Sequence, residues 1–247
     1  MAHKLTEKRA FNPTTLALSS GAIELIKWLA LIAMTLDHVN KILLNAQFAW
    51  MYSMGRLAMP LFGFVLAYNL ARPNTLKNHI YSSVAIRTFI MGLAATPFYK
   101  VAFHHAGLGS LNIMFTLSLA ACILFLIDSS IHSHNADLVI ITRALALAVL
   151  MLGSLFVEGQ HIAMGYVLAA WAYCKTQRLW IPLLIWLLST ASLGLINDNA
   201  WAVAAIPIIL LTSKINFKLP RLKWMFYVYY PLHLAILISM QRCHYVL

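Results

Sequence analysis

The chain has 247 residues, of which 62% are hydrophobic and only 10% charged, with a mean hydropathy of +0.78. No soluble domain of this length needs so much apolar surface to fill its core, so the composition excludes a water-soluble protein and predicts a polytopic membrane protein. The net charge of +11 would suggest nucleic acid in a soluble chain, but the basic residues sort by loop, so here they report topology and contact with anionic lipid.

Residues 1–20 read as a polar cytoplasmic arm. The stretch MAHKLTEKRAFNPTTLALSSG lacks a short apolar core followed by a small-residue cleavage site, so the first helix itself is expected to direct insertion. That helix, near 22–44, carries Lys27, Asp37 and His38 in IELIKWLALIAMTLDHVNKILL. An Asp or Lys near the centre of a spanning helix costs about 2.5–3.5 kcal/mol, so such groups usually mark a pathway or a reactive site. Lys27 and His38 are eleven positions apart; at 100° per residue they return to within about 20° of one face, with a rise of roughly 16 Å between them.

The second span, 51–71, holds Arg56 between Gly55 and Pro60 in SMGRLAMPLFGF. A buried guanidinium needs a carboxylate, and Asp37 is the candidate, while the glycine and proline loosen the backbone for close approach. The third, 80–103, adds Arg87; the fourth, 111–127, opens on Asn112 in SLNIMFTL; the fifth, 138–157, begins at Arg143. Glu158, Gln160 and His161 follow in a turn, where Glu158, like Asp198 further on, reads as solvated. Shorter runs at 160–174, 179–193 and 198–213 precede a last span, 223–241, that carries Tyr229, Tyr230 and His233 in FYVYYPLHLAIL. The expected fold is all-α: a transmembrane bundle of about nine spans with a cytoplasmic N-terminus, in which 21–247 form one membrane domain.

Lys4, Lys8 and Arg9, then Arg72 and Lys77, then Lys175 and Arg178, then Lys214, Lys218, Arg221 and Lys223 fall on one side of this topology. The other side has only Lys41, Lys100 and Arg242, which satisfies the positive-inside rule. On that ordering Lys27, Arg87 and Arg143 lie toward the cytoplasm, and Asp37, His38, Arg56 and Asn112 toward the outside, with His233 between. Cys122, Cys174 and Cys243 show no ligand spacing and read as buried thiols. His104, His105, His132 and His134 have His-His and His-Ser-His spacing, but no carboxylate or cysteine cluster completes a metal shell, so no metal is expected.

The segments IKWLALIAMTLDHVN and MYSMGRLAMPLFGFVLAYNLAR, with LNIMFTL, HIAMGYVLAA and FYVYYPLHLAIL, resemble the TraX family, whose named member acetylates the N-terminus of F-type pilin in the bacterial inner membrane. Lys27 with His38 also resembles the R/K-x10-H pattern of acyltransferase family three, with lysine at the basic position. The resemblance implies a multi-pass inner-membrane acetyltransferase that takes an acetyl group from acetyl-CoA to an extracytoplasmic amine, with lipid, acetyl-CoA and a pilin-like protein as partners and no nucleic acid or metal. It makes His38 the general base beside Asp37, with Arg56 or Asn112 steadying the oxyanion and His233 nearby as a further catalytic position. Lys27, Arg87, Arg143 and Arg72 would meet the CoA phosphates, with Tyr230 also in the binding set.

Plainer readings stand beside these. Asp37 and Arg56 also fit a structural ion pair, Lys27 a lysine snorkelling to the headgroups, and His233 a packing residue in a tyrosine-rich helix. A sugar or other envelope acceptor fits the same path, and a proton or anion transporter would use the same mid-membrane charges.

Overall fold

A computed structural model describes residues 16–103, 111–176, 180–216 and 219–246. Among the described residues the fold is all-helical, with no β-strand and one isolated parallel bridge, Leu111 to Val157. The N-terminal arm to residue 15, the His104–His105 pair and Arg178 lie outside the described residues.

Helix α1 (Ser20–Ile42) starts where the Ser19 side chain accepts the Ala22 amide at 3.1 Å, satisfying a donor that the first turn leaves open. It stops where Asn45 and Ala46 take left-handed backbone, with φ of 50° and 56°. Asn40 clamps the turn that follows, its amide bonding both the N–H and the carbonyl of Phe48 at 3.0 Å. The chain then doubles back as α2 (Ala49–Gly55) and α3 (Ala58–Leu70). These two were expected as one span. Pro60 has no N–H to give the Arg56 carbonyl, so the ladder opens at Arg56–Leu57 and the break falls at the site's guanidinium.

Helices α4 (Ile80–Phe103) and α5 (Ile113–His132) pack side by side, and α11 (Lys223–Val246) packs on α4 and α1. Helix α6 (Ala136–Ala148) continues through a π turn, Val149–Gly153, and a 3-10 turn, Ser154–Phe156. Helix α7 (Gln160–Lys175) lies against α3 and α8 (Trp180–Ser192); the short α9 (Gly194–Asn197) and α10 (Ala205–Ser213) complete the set. The core runs through α1, α3, α5 and α7. Trp186 fills its middle, with ring centroids 5.2 Å from Phe64 and 5.0 Å from Tyr173.

The expectation of about nine spans is corrected here. Among the described residues, three helical stretches are long and apolar enough to cross a membrane: Ile113–His132, Ala136–Phe156 and Trp180–Asn197. Elsewhere charge and breaks intervene. Helix α1 holds Glu24, Lys27, Asp37 and Lys41 within 18 residues, the second apolar run divides at Arg56, and α7 has only 16 residues. Hydropathy runs therefore overcounted spans where the sequence places reactive polar groups. Two of the three crossings, Ala136–Phe156 and Trp180–Asn197, keep little of their apolar surface under other protein, as lipid-facing helices should.

Candidate functional site

Asp37 is the electrostatic centre of α1, with 5% of its surface exposed. Its Oδ2 accepts from Arg56 Nη2 and from Lys41 Nζ, each at 2.7 Å, so the ion pair anticipated between Asp37 and Arg56 is present and shared with a second cation. Gly55 makes this approach possible, because a Cβ there would overlap the Asp37 side chain. Arg56 is fixed on every side. Its Nε donates to the Tyr52 carbonyl and its Nη1 to Asn197 Oδ1, both at 3.3 Å, and its plane lies 4.3 Å from the Tyr52 ring centre. Such a pair strongly resists loss of one member, since the survivor is left charged and desolvated.

One helical step on, His38 meets His233 of α11. The rings stack within 5° of parallel, and Nδ1 of His38 lies 2.7 Å from Nε2 of His233. His233 Nδ1 lies 2.9 Å from the Tyr229 carbonyl, which can only accept. In the neutral pair that carbonyl fixes the tautomers: His233 carries its proton on Nδ1 and accepts at Nε2, so His38 donates from Nδ1 and keeps its lone pair at Nε2. His38 thereby keeps an unprotonated Nε2, with Phe103 and Tyr230 against its ring.

Both groups open onto a cavity of about 560 Å³ lined by Asp37, His38, Lys41, Arg56, Tyr99, Glu158 and Tyr230, among others. Glu158 is exposed, as expected, and it also lines this cavity. The Leu111–Val157 bridge brings it there, with the Glu158 N–H donating to the Leu111 carbonyl at 2.9 Å. Tyr99, from α4, lines the same cavity as Glu158. Partial loss of water at the cavity wall raises this carboxyl above its ordinary value, while Lys41 and Arg56 pull it back and Asp37 pushes it up.

A second cavity of about 230 Å³ shares Met34, Phe62, Ile113 and Tyr230 with the first, so the two are neighbours with these four side chains as their common wall. It is mostly apolar and has Lys27, Arg87 and Lys223 on its wall. Lys27 pairs with Glu24 at 2.5 Å and lies 4.4 Å above the Phe226 ring; Arg87 lies over Trp224 at 5.2 Å.

The remaining sequence candidates stand apart from these cavities. Asn112 is committed to structure: its Oδ1 caps α5 at the Met114 amide and its Nδ2 donates to the Gly92 carbonyl at 3.0 Å. Arg72 is exposed after α3, its guanidinium 5.3 Å from the Tyr68 ring. Arg143 is exposed on α6 and reaches Ser130 at 3.4 Å. The structure adds Glu24, Lys41, Tyr99 and Glu158. Glu24 at i−3 from Lys27 and Lys41 at i+4 from Asp37 carried a helix-spacing signal in the sequence; Tyr99 and Glu158 carried none, because 59 residues separate them. Among the described residues no group of three or more His, Cys, Asp or Glu side chains is placed to hold a metal ion.

The family model described as TraX protein matches residues 22–241. Protein TraX of Escherichia coli is 31% identical over 237 residues, covering 89% of this chain and 87% of that protein. Protein TraX of Escherichia coli strain K12 is 34% identical over 110 residues, 43% of this chain and 40% of that relative. No solved structure gives a significant match. With a family match that spans α1 to α11, and so every helix that walls the two cavities, the chain belongs to the TraX family.

Proposed function

We propose that this protein is an integral acetyltransferase of the bacterial inner membrane, moving an acetyl group from cytoplasmic acetyl-CoA to an extracytoplasmic amine such as the N-terminus of a pilin. The observation that carries this reading is the adjacency of the two cavities across a shared wall: three cations wall one, and a tautomer-fixed histidine lines the other. Lys27, Arg87 and Lys223 suit the phosphates of CoA, and the apolar wall between suits its pantetheine arm. The roughly 16 Å of α1 from Lys27 to His38 is the length such an arm has to cross.

In this reading the amine attacks the thioester carbonyl while His38 Nε2 takes a proton. The C–N bond forms, the C–S bond breaks, and His38 returns the proton to the departing thiolate. Lys41 and Arg56 hold positive potential near the developing oxyanion, and His233 keeps His38 in the productive tautomer. Arg72 and Arg143, set apart from the cavities, take no part in donor binding, and Asn112 serves as a helix cap.

The test is single-turnover transfer from labelled acetyl-CoA to a processed pilin N-terminal peptide by purified protein in detergent. Label should appear on the peptide amine and fall at least about 100-fold in His38→Ala, the usual scale of a lost general base. A folded sample that neither binds nor consumes acetyl-CoA would remove this function.

A further inference from the structure

Resting on the acetyl-transfer reading, we infer that Glu158 is a second base in the larger cavity, which binds the acceptor as an ammonium ion and takes the first of the two protons that an amine must lose. A peptide N-terminus has a pKa of about 7.7–8.0, so near neutrality it arrives mostly as R–NH3+ and cannot attack. One proton must leave before attack and a second during it. A hydroxyl acceptor loses only one, so a site with two bases fits an amine.

Glu158 is placed for the first removal. The Leu111–Val157 bridge fixes its backbone, its carbonyl accepts from Thr116 Oγ1 at 2.9 Å, and Gly159, at φ +76°, turns the chain away into α7. Its carboxylate is exposed to the cavity that His38 lines. Tyr99 and Tyr230, both uncharged, line the cavity with it. Among the described residues it makes no ion pair, because Lys41 and Arg56 are both bound to Asp37 Oδ2. The site thus offers to a cation from outside an accessible carboxylate whose two neighbouring cations are already paired with Asp37. The balance is R–NH3+ and Glu158 carboxylate giving R–NH2 and Glu158 carboxylic acid; the neutral amine then attacks, its next proton goes to His38, and Glu158 releases its proton to water. The groups that bear on this step are Lys41 and Asp37 of α1, Arg56 after α2, Tyr99 of α4, and His233 and Tyr230 of α11.

Two measurements on full-length protein, wild type and Glu158→Gln, test this, with folding checked by thermal unfolding. Without donor, wild type should bind a peptide with a free N-terminus about tenfold tighter than the same peptide already acetylated, and Glu158→Gln should bind the two alike. With acetyl-CoA, the variant's single-turnover deficit should be about tenfold at pH 6.5 and shrink toward parity at pH 9, where the amine arrives neutral. A deficit independent of pH, or no preference for the free amine in wild type, overturns the role of Glu158. Preference for the free amine in a wild-type protein that transfers no acetyl group keeps the ammonium site and overturns the acetyltransferase reading instead. If Glu158→Gln does not fold, Glu158→Asp should retain the preference for the free amine, and its loss would overturn the inference.

Discussion

At the scale of single residues, the pair His38–His233 makes the sharpest demand. His233→Ala removes the acceptor that fixes His38, so transfer should fall by about 10- to 100-fold, less than for His38→Ala. His233→Gln leaves a carbonyl oxygen for the His38 Nδ1–H and should recover part of the loss, which a purely steric role would not predict. Asp37 makes a stability prediction: Asp37→Ala leaves the partly exposed Arg56 and Lys41 without their carboxylate and should cost about 1–3 kcal/mol, less than for a fully buried pair, read as a lowered unfolding midpoint in detergent. Glu158 adds a pH dependence. Its carboxyl is raised above the ordinary 4.5, so the fold holds this proton more tightly than the unfolded chain does. Its contribution to stability is therefore full below about pH 4.5 and is lost as pH rises through the folded value. Glu158→Gln should gain on wild type as pH rises from 4.5, measured as the difference in Tm.

At the scale of elements, the site depends on how closely α2 comes to α1 and where α2 ends. Gly55→Ala would push a methyl into Asp37, so it should destabilise by about 1–3 kcal/mol and reduce transfer together. Gly165→Ala in α7 is the contrast: nothing lies within 4 Å of its Cβ position, so it should be neutral or stabilise by about 0.5–1 kcal/mol through helix propensity. The Asp37–Arg56 contact was legible in the sequence, because a guanidinium in an apolar run must find a carboxylate, and of the two in the neighbouring run Asp37 lies at the depth of Arg56 while Glu24 lies at the far end. The break between α2 and α3 followed from Pro60 but was hidden by continuous hydropathy. Asn112 shows the opposite failure. Its expected depth and the family resemblance placed it in the reaction, whereas its side chain is occupied capping α5 and holding the Gly92 carbonyl of α4.

For the whole molecule, the helices divide into those that wall the cavities and those that face outward. Leu152 and Leu188, on the outer stretches Ala136–Phe156 and Trp180–Asn197, are more than 60% exposed, while Ile26 and Leu61 are fully buried. In reconstituted protein, nitroxide labels at 152 and 188 should be relaxed strongly by lipid-dissolved oxygen and weakly by a water-soluble nickel chelate. The reverse pattern would move these helices out of the bilayer. At the end of the bundle near Lys175, Asp128 is almost wholly buried and joins α4, α5 and α7 through Tyr81 at 3.0 Å and Lys175 at 2.9 Å. That network ties the walls of the bundle together through charge.

Membrane character, the polar stripe of α1 and the likeness to TraX proteins were all determined by sequence, because composition, the cost of burying charge and short-range helical spacing are local properties. The choice among the polar residues belonged to the tertiary structure. Lys41 joined Asp37, Glu158 reached the same cavity as His38, and Arg72 and Arg143 fell away from it, since which side chains share one space depends on how distant helices pack. The span count likewise needed the folded chain: apolar runs measure hydropathy, but breaks in the backbone ladder and paired charges decide which runs are continuous helices able to face lipid.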